Sequence, residues 1–167
     1  GNSGFTFDKT TGTVTATNIT ASANLRTNAN NITLGNLAVS NASHGISIGY
    51  GAGNLTANAN IIAIGYNAGN NANIMSGAIL IGTNVGSSMN VASALRDSVV
   101  IGRDAVNSSS TGNAQSCIVL GARAYTGNVL GARAIAVGFS SLSNYTYNNL
   151  TAVATIAIGS NACVNAN

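Results

Sequence analysis

The stretch Ile62-Ala63-Ile64-Gly65-Tyr66-Asn67-Ala68-Gly69 decides the fold of this chain. Three apolar or small residues lead into a glycine, and a small residue follows three places later. The same phrase recurs at Gly35, Gly49, Gly65, Gly82, Gly102, Gly121, Gly138 and Gly159. The triplets before these glycines read ITL, ISI, IAI, ILI, VVI, IVL, IAV and IAI, and three places after them stand Ala38, Ala52, Ala68, Val85, Ala105, Ala124, Ser141 and Ala162. One phrase repeated along most of a chain marks a stack of coils. It leaves little length for a catalytic pocket.

In an extended chain the first and third residues of each triplet share a face. From Ile32 and Leu34 to Ile156 and Ile158, every one of those positions is Ile, Leu or Val. The residue between them is Thr33, Ser47, Ala63, Leu80, Val100, Val119, Ala136 or Ala157, never charged, and larger in the middle of the array than at its ends. Such triplets read as parallel strands buried on both faces. The glycines are 14, 16, 17, 20, 19, 17 and 21 residues apart. The phrase is kept while the connectors vary, which a solenoid tolerates. The connectors, such as 67–73 and 107–113, are crowded with Asn, Gly, Ser and Ala, residues suited to turns. The glycine itself predicts a sharp corner, and the small residue beyond it a second short strand, so each coil holds two strands joined at a glycine. A helix per repeat is disfavoured, because no 3.6-residue apolar stripe runs through these segments; only Met89 to Leu95 would tolerate one. The fold class is therefore all-β, a parallel β-solenoid of about eight short repeats over 32–167.

Residues 1–31 read differently. Phe5 and Phe7 alternate with Thr6, Asp8 to Gly12 reads as a turn, and Thr13 to Ile19 alternates again. That pattern predicts a hairpin, placed to cap the open end of the stack, since a terminal repeat lacks one neighbour.

The chain has 167 residues, with six Lys plus Arg, three Asp, no Glu, no Pro and no Trp. Regular aliphatics argue against disorder, and scarce aromatics suit a thin core. The formal net charge of +3 is scattered, with Arg96 beside Asp97 and Arg103 beside Asp104. No basic cluster offers itself to nucleic acid. No apolar run reaches the length of a membrane-spanning helix, so direct membrane insertion is not expected. The chain opens on Gly1 rather than Met, which suits a fragment or processed product whose anchor, if it has one, lies elsewhere. Cys117 and Cys163 occupy different places in the phrase and read as two small buried hydrophobes, with a disulfide unforced.

Catalytic chemistry finds little material. His44 is the one histidine and has no identifiable partner, and the three Asp are too sparse for paired-carboxylate chemistry or a metal site. No enzyme activity, metal or cofactor is expected. Gly49-Tyr50-Gly51-Ala52-Gly53 is a turn of the repeat, with no Lys-Ser/Thr after it to make a phosphate loop. Recognition residues are sought elsewhere. Asn144, Tyr145 and Tyr147 lie in the longest gap between glycines, and Tyr and Asn on a protruding loop suit carbohydrate or protein contacts. Tyr50, Tyr66 and Phe139 come next. Arg123 and Arg133 stand in a doubled Gly-Ala-Arg-Ala at 121–124 and 131–134, and a ring of Arg would meet acidic sugars. A lone solenoid of this kind would leave its row of Ile, Val and Leu in water, a pattern that marks an interface. Closed self-association would bury it.

The phrase 62–69, with Ser98-Val99-Val100-Ile101-Gly102 and Thr155 to Ala162, resembles the head repeats of trimeric autotransporter adhesins, the YadA-like head, over roughly 32–167. The resemblance implies a left-handed parallel β-roll, with three rolls packed into a homotrimer. The same phrase occurs in virus fibre and tail proteins. The longer, irregular spacing, the Asn-rich connectors and the opening Phe5 to Thr15 resemble phage tail fibres more than adhesin heads. The expected role is a host-attachment fibre or spike on the virion surface, outside the cell, alongside other fibre or virion proteins. It would present loops to a cell-surface glycan or protein receptor. A bacterial adhesin head and a purely architectural virion trimer or capsid decoration are the alternatives.

Overall fold

A computed structural model describes residues 5–10, 13–16, 31–35, 45–53, 58–70, 75–87, 95–107, 115–126, 133–143 and 154–164. The strands are β1 (Phe5–Asp8), β2 (Thr13–Ala16), β3 (Asn31–Leu34), β4 (Gly45–Ile48), β5 (Asn58–Ala59), β6 (Ile61–Ile64) and β7 (Met75–Ser76), followed by β8 (Ile79–Ile81), β9 (Leu95–Arg96), β10 (Val99–Ile101), β11 (Ile118–Leu120), β12 (Ile135–Val137) and β13 (Ile156–Ile158). The described residues contain no helix. The eight triplets form one sheet of eight strands, in the order β3-β4-β6-β8-β10-β11-β12-β13. All neighbours are parallel and in register, so that Ile62 pairs with Ile79, Ile79 with Val99 and Val99 with Ile118. The chain is an all-β parallel solenoid.

β1 and β2 pair antiparallel, Phe5 opposite Ala16. The expected hairpin is present, although Ile19 lies outside the described residues. Of the stretch thought able to hold a helix, Leu95 is in a strand and the rest is outside the described residues.

One expectation is met and one is corrected: the row of Ile, Leu and Val expected to stand in water on a lone solenoid does so, and the second strand lies elsewhere than expected. The first concerns the faces of the main strands. In seven of the eight triplets the middle residue is buried, namely Ser47, Ala63, Leu80, Val100, Val119, Ala136 and Ala157, while Thr33 in the first triplet is exposed. The Ile, Leu and Val on either side of it point outward and remain half-buried or exposed. The strands are thus covered on one face only within a single chain. A coil this narrow has room inside for one small column, and the larger side chains must turn out.

The second concerns the second strand. It does not follow the glycine corner. From Gly49 to Gly159, residues two and four past each corner glycine take positive φ, as at Asn67 (51°), Gly69 (64°), Arg123 (55°) and Tyr125 (56°), which breaks any extended run there. The short parallel sheet β5-β7-β9 instead precedes the main strand, extended by a bridge between Arg96 and Gln115. The joint between the two sheets is a single left-handed residue: Asn60, Gly77, Asp97, Ser116 or Arg133.

The core is a column of small side chains whose volumes compensate from rung to rung. Where the inward residue is Ala63, the buried Ile61 fills the space; where Leu80 and Val85 point in, the neighbour is Ala78. Tyr125 fills a place held by Gly86 two rungs away and by Gly69 three rungs away. Ser98 is buried and satisfied: its hydroxyl donates to Arg96 O at 2.7 Å and accepts the Cys117 N–H at 3.0 Å.

Candidate functional site

The corner glycines set the spacing of everything on the surface. All eight take φ between +124° and +143°, where an L side chain is strained. A second cause is steric. A Cβ on Gly82 would lie 2.6 Å from Gly102 O, and one on Gly49 2.5 Å from Gly65 O. Each rung therefore presses its corner backbone into the space that the previous glycine leaves. The glycines expected at turns hold those places, for this additional reason.

This tight stacking aligns the side chains into columns. The outward aliphatic face carries two of them over all eight strands. Ile32 and Leu34 at one end are 40% and 53% exposed, and Ile156 and Ile158 at the other are 64% and 69% exposed. Strands about 4.8 Å apart make this ridge roughly 34 Å long. No charged residue interrupts it.

The next column, one residue past each corner glycine from Gly49 to Gly159, holds Tyr50, Tyr66, Thr83, Arg103, Ala122, Phe139 and Ser160. Tyr50 and Tyr66 stack with ring centroids 5.4 Å apart and an interplanar angle of 10°, and both are exposed, as is Phe139. The column after that is polar. The Asn67 side-chain amide donates to Asn84 Oδ1 at 3.5 Å, and the Asn84 amide donates to Asp104 Oδ1 at 3.3 Å. Asn70 closes the near end by donating to Asn67 Oδ1 at 3.1 Å. Reading the sequence triplet by triplet missed this amide ladder. Aligning the rungs on their glycines would have found it, because Asn67, Asn84 and Asp104 all stand two places past one.

The predicted recognition residues do not converge among the described residues. Asn144, Tyr145 and Tyr147 lie outside those residues, as does His44. Arg123 and Arg133 are both exposed, but the doubled four-letter motif does not give them equivalent positions. The Arg123 N–H donates to Arg103 O just past a glycine corner, whereas the Arg133 N–H donates to Gln115 O just before a main strand. The expected local offset of charge appears as an Arg103–Asp104 pair at 3.9 Å, exposed enough to contribute little.

The two cysteines are free. Cys117 is buried as expected, and burial raises its thiol pKa, partly offset by hydrogen bonds from the Ala134 and Arg133 backbones and the Tyr125 side chain. Cys163 is a correction: it is exposed. It lies in the last described turn, where the described residues supply no further rung to cover it. Among the described residues no three of His, Cys, Asp or Glu gather as metal ligands, and no helix is long and apolar enough to cross a membrane.

No protein-family model matches this chain, and neither a curated protein nor a solved structure shows significant similarity to it. The columns themselves are thus the material from which function is read.

Proposed function

We propose that this chain is a non-enzymatic structural module. It assembles as a homotrimer of left-handed coils with their aliphatic faces turned to a common axis, and forms an exposed attachment fibre or spike. The observation that carries this reading is the uninterrupted outward ridge of Ile, Leu and Val. Sealing each half-covered aliphatic gains about 1 kcal/mol. Over the sixteen positions of three chains that is several tens of kcal/mol, against about 4–15 kcal/mol of lost freedom for each of two association steps. Three-fold closure and left-handed coiling come from the likeness of the phrase at 62–69 to YadA-like head repeats.

On this reading the polar column and the connectors face solvent and the receptor. Three equivalent weak sites act together through effective concentration. The partner is a cell-surface glycan or protein, and the setting is the virion surface or tail fibre. A bacterial adhesin head would use the same architecture. The scarcity of titratable side chains, with one His and three Asp in 167 residues, favours a scaffold over an enzyme.

Native mass spectrometry tests the assembly, with a three-chain mass expected at micromolar concentration and a stable monomer sinking the reading. Glycan-array binding by the purified assembly then separates receptor attachment, which gives defined positives, from pure architecture, which gives none.

A further inference from the structure

Past the glycine corners, off the aliphatic ridge, side chains stack one per rung. Tyr50 and Tyr66 set that repeat, with ring centroids 5.4 Å apart and planes 10° from parallel. The Asn84 N–H donates to Tyr66 O at 2.8 Å and the Asp104 N–H to Thr83 O at 2.9 Å, so Tyr66, Thr83 and Arg103 hold one place on three successive rungs. A third ring would lie over Tyr66, but the place belongs to Thr83, a much smaller side chain. The stack breaks off there by one ring's thickness. Tyr66 is 51% exposed and Thr83 is exposed. Arg103 resumes the column on the next rung, roughly 10 Å from Tyr66 by strand spacing. The result is a slot one rung high, with the Tyr66 ring as one wall, Thr83 as the floor and Arg103 as the far wall.

The side of the slot is polar. The Asn84 amide spends one N–H on Asp104 Oδ1 at 3.3 Å, and its oxygen accepts from Asn67 at 3.5 Å. A primary amide has a second N–H, and a carboxylate has about four acceptor positions, so a donor and several acceptors stand side by side. Arg103 lies 3.9 Å from the Asp104 carboxylate, and the two charges offset one another. Tyr50 backs the other face of Tyr66 and holds that ring in place before any ligand arrives, which lowers the ordering cost of binding.

We propose that this slot binds one neutral pyranose ring of a glycan. The sugar's apolar C–H face lies on the electron-rich face of Tyr66, in the place a third tyrosine would take. Neighbouring hydroxyls on its rim accept from the Asn84 N–H and donate to the Asp104 carboxylate. An apolar wall beside a few convergent polar groups is the usual make-up of a small-ligand site, and the paired charges favour an uncharged sugar over an acidic one. Phe139 is also exposed, between Ala122 and Ser160 in the same column, but the polar places beside it are Arg123 and Ser140, with no amide–carboxylate pair. As a receptor site the slot rests on the attachment reading, yet it is complete within one chain.

Saturation-transfer NMR on the 167-residue chain tests it, with the methyl glycosides of glucose, galactose, mannose and N-acetylglucosamine as probes. At least one is expected to show transfer to its ring protons, and more strongly than N-acetylneuraminic acid does. Thr83→Tyr completes the stack at an exposed position and is expected to abolish the transfer with a parental melting curve. Tyr66→Ala is expected to weaken binding roughly tenfold or more, and Phe139→Ala to bind as the parent does. No transfer from any of the four probes up to their solubility limits overturns the proposal, as does transfer that survives Thr83→Tyr or is lost equally in Phe139→Ala. Native mass spectrometry of the same samples keeps the two readings apart. A monomer that binds sugar removes the trimer and leaves the slot; a trimer that binds none removes the slot and leaves the trimer.

Discussion

At Gly82 the backbone takes φ +139°, and a Cβ there would lie 2.6 Å from Gly102 O. Gly159 has nearly the same backbone, φ +125°, but open space where its Cβ would go. The pair separates two effects that usually travel together. Gly159→Ala carries the backbone strain alone, of order 1–3 kcal/mol. Gly82→Ala adds overpacking against a rigid backbone, of order 1–3 kcal/mol more. Denaturant midpoints of the two variants should therefore differ clearly, with Gly82→Ala the less stable; equal midpoints would show that the close approach of rungs costs nothing. The cysteines give a second residue-scale contrast. In the native protein a thiol reagent at neutral pH should label Cys163 within minutes and Cys117 only after denaturant is added, because Cys117 is buried and its raised pKa keeps it a neutral thiol. The sign of that shift also sets a pH dependence. The folded state holds the Cys117 proton more tightly than the unfolded chain, so its contribution is present below the ordinary thiol pKa and fades as pH climbs through it. Cys117→Ser should flatten that alkaline decline.

At the scale of a strand, Leu80 and Ile81 are neighbours with opposite duties. Leu80 is fully buried in the coil, and Ile81 looks out from the aliphatic face. Leu80→Ala should cost about 2–5 kcal/mol of folding stability, as core truncations do, with the assembly's stoichiometry unchanged. Ile64→Asp, on the outward face, should leave the coil's β-sheet circular dichroism in place and break the proposed trimer, because three carboxylates would be sealed in its apolar seam; native mass spectrometry and circular dichroism together read both results. The aliphatic row left in water was legible from the triplets; what packs inside was not, and Ala63 turns in while Ile62 and Ile64 turn out because a narrow coil selects by volume. Strand positions and register were legible, since the glycines index every rung. The left-handed residues were legible only in part: Asn67, Gly69, Asn84 and Gly86 suit positive φ by type, but Arg123, Tyr125 and Leu142 adopt it because the stack above and below holds them there. Arg123 and Arg133 looked equivalent because four letters repeat, yet one frame starts at a corner glycine and the other does not.

Over the whole molecule, the absence of charge from the aliphatic ridge fixes how the proposed trimer should respond to solution conditions. The chain carries six cationic and three acidic side chains, and the Arg103–Asp104 pair at 3.9 Å is partly exposed to solvent. Little Coulombic attraction is therefore available to hold the proposed trimer together, and the net charge of +3 per chain opposes its formation weakly. Raising sodium chloride from about 50 mM to about 0.5 M screens both effects within a few ångströms. Lateral assembly driven by apolar burial should then keep its dissociation midpoint or tighten slightly. Sulfate should tighten it further by strengthening burial, and cooling should loosen it, because apolar association weakens as temperature falls. Sedimentation equilibrium across the salt series and between about 5 and 35 °C would read both trends. Assembly that dissolves in sodium chloride would instead assign the contact to the Arg-bearing corners, and the aliphatic ridge would need another occupant.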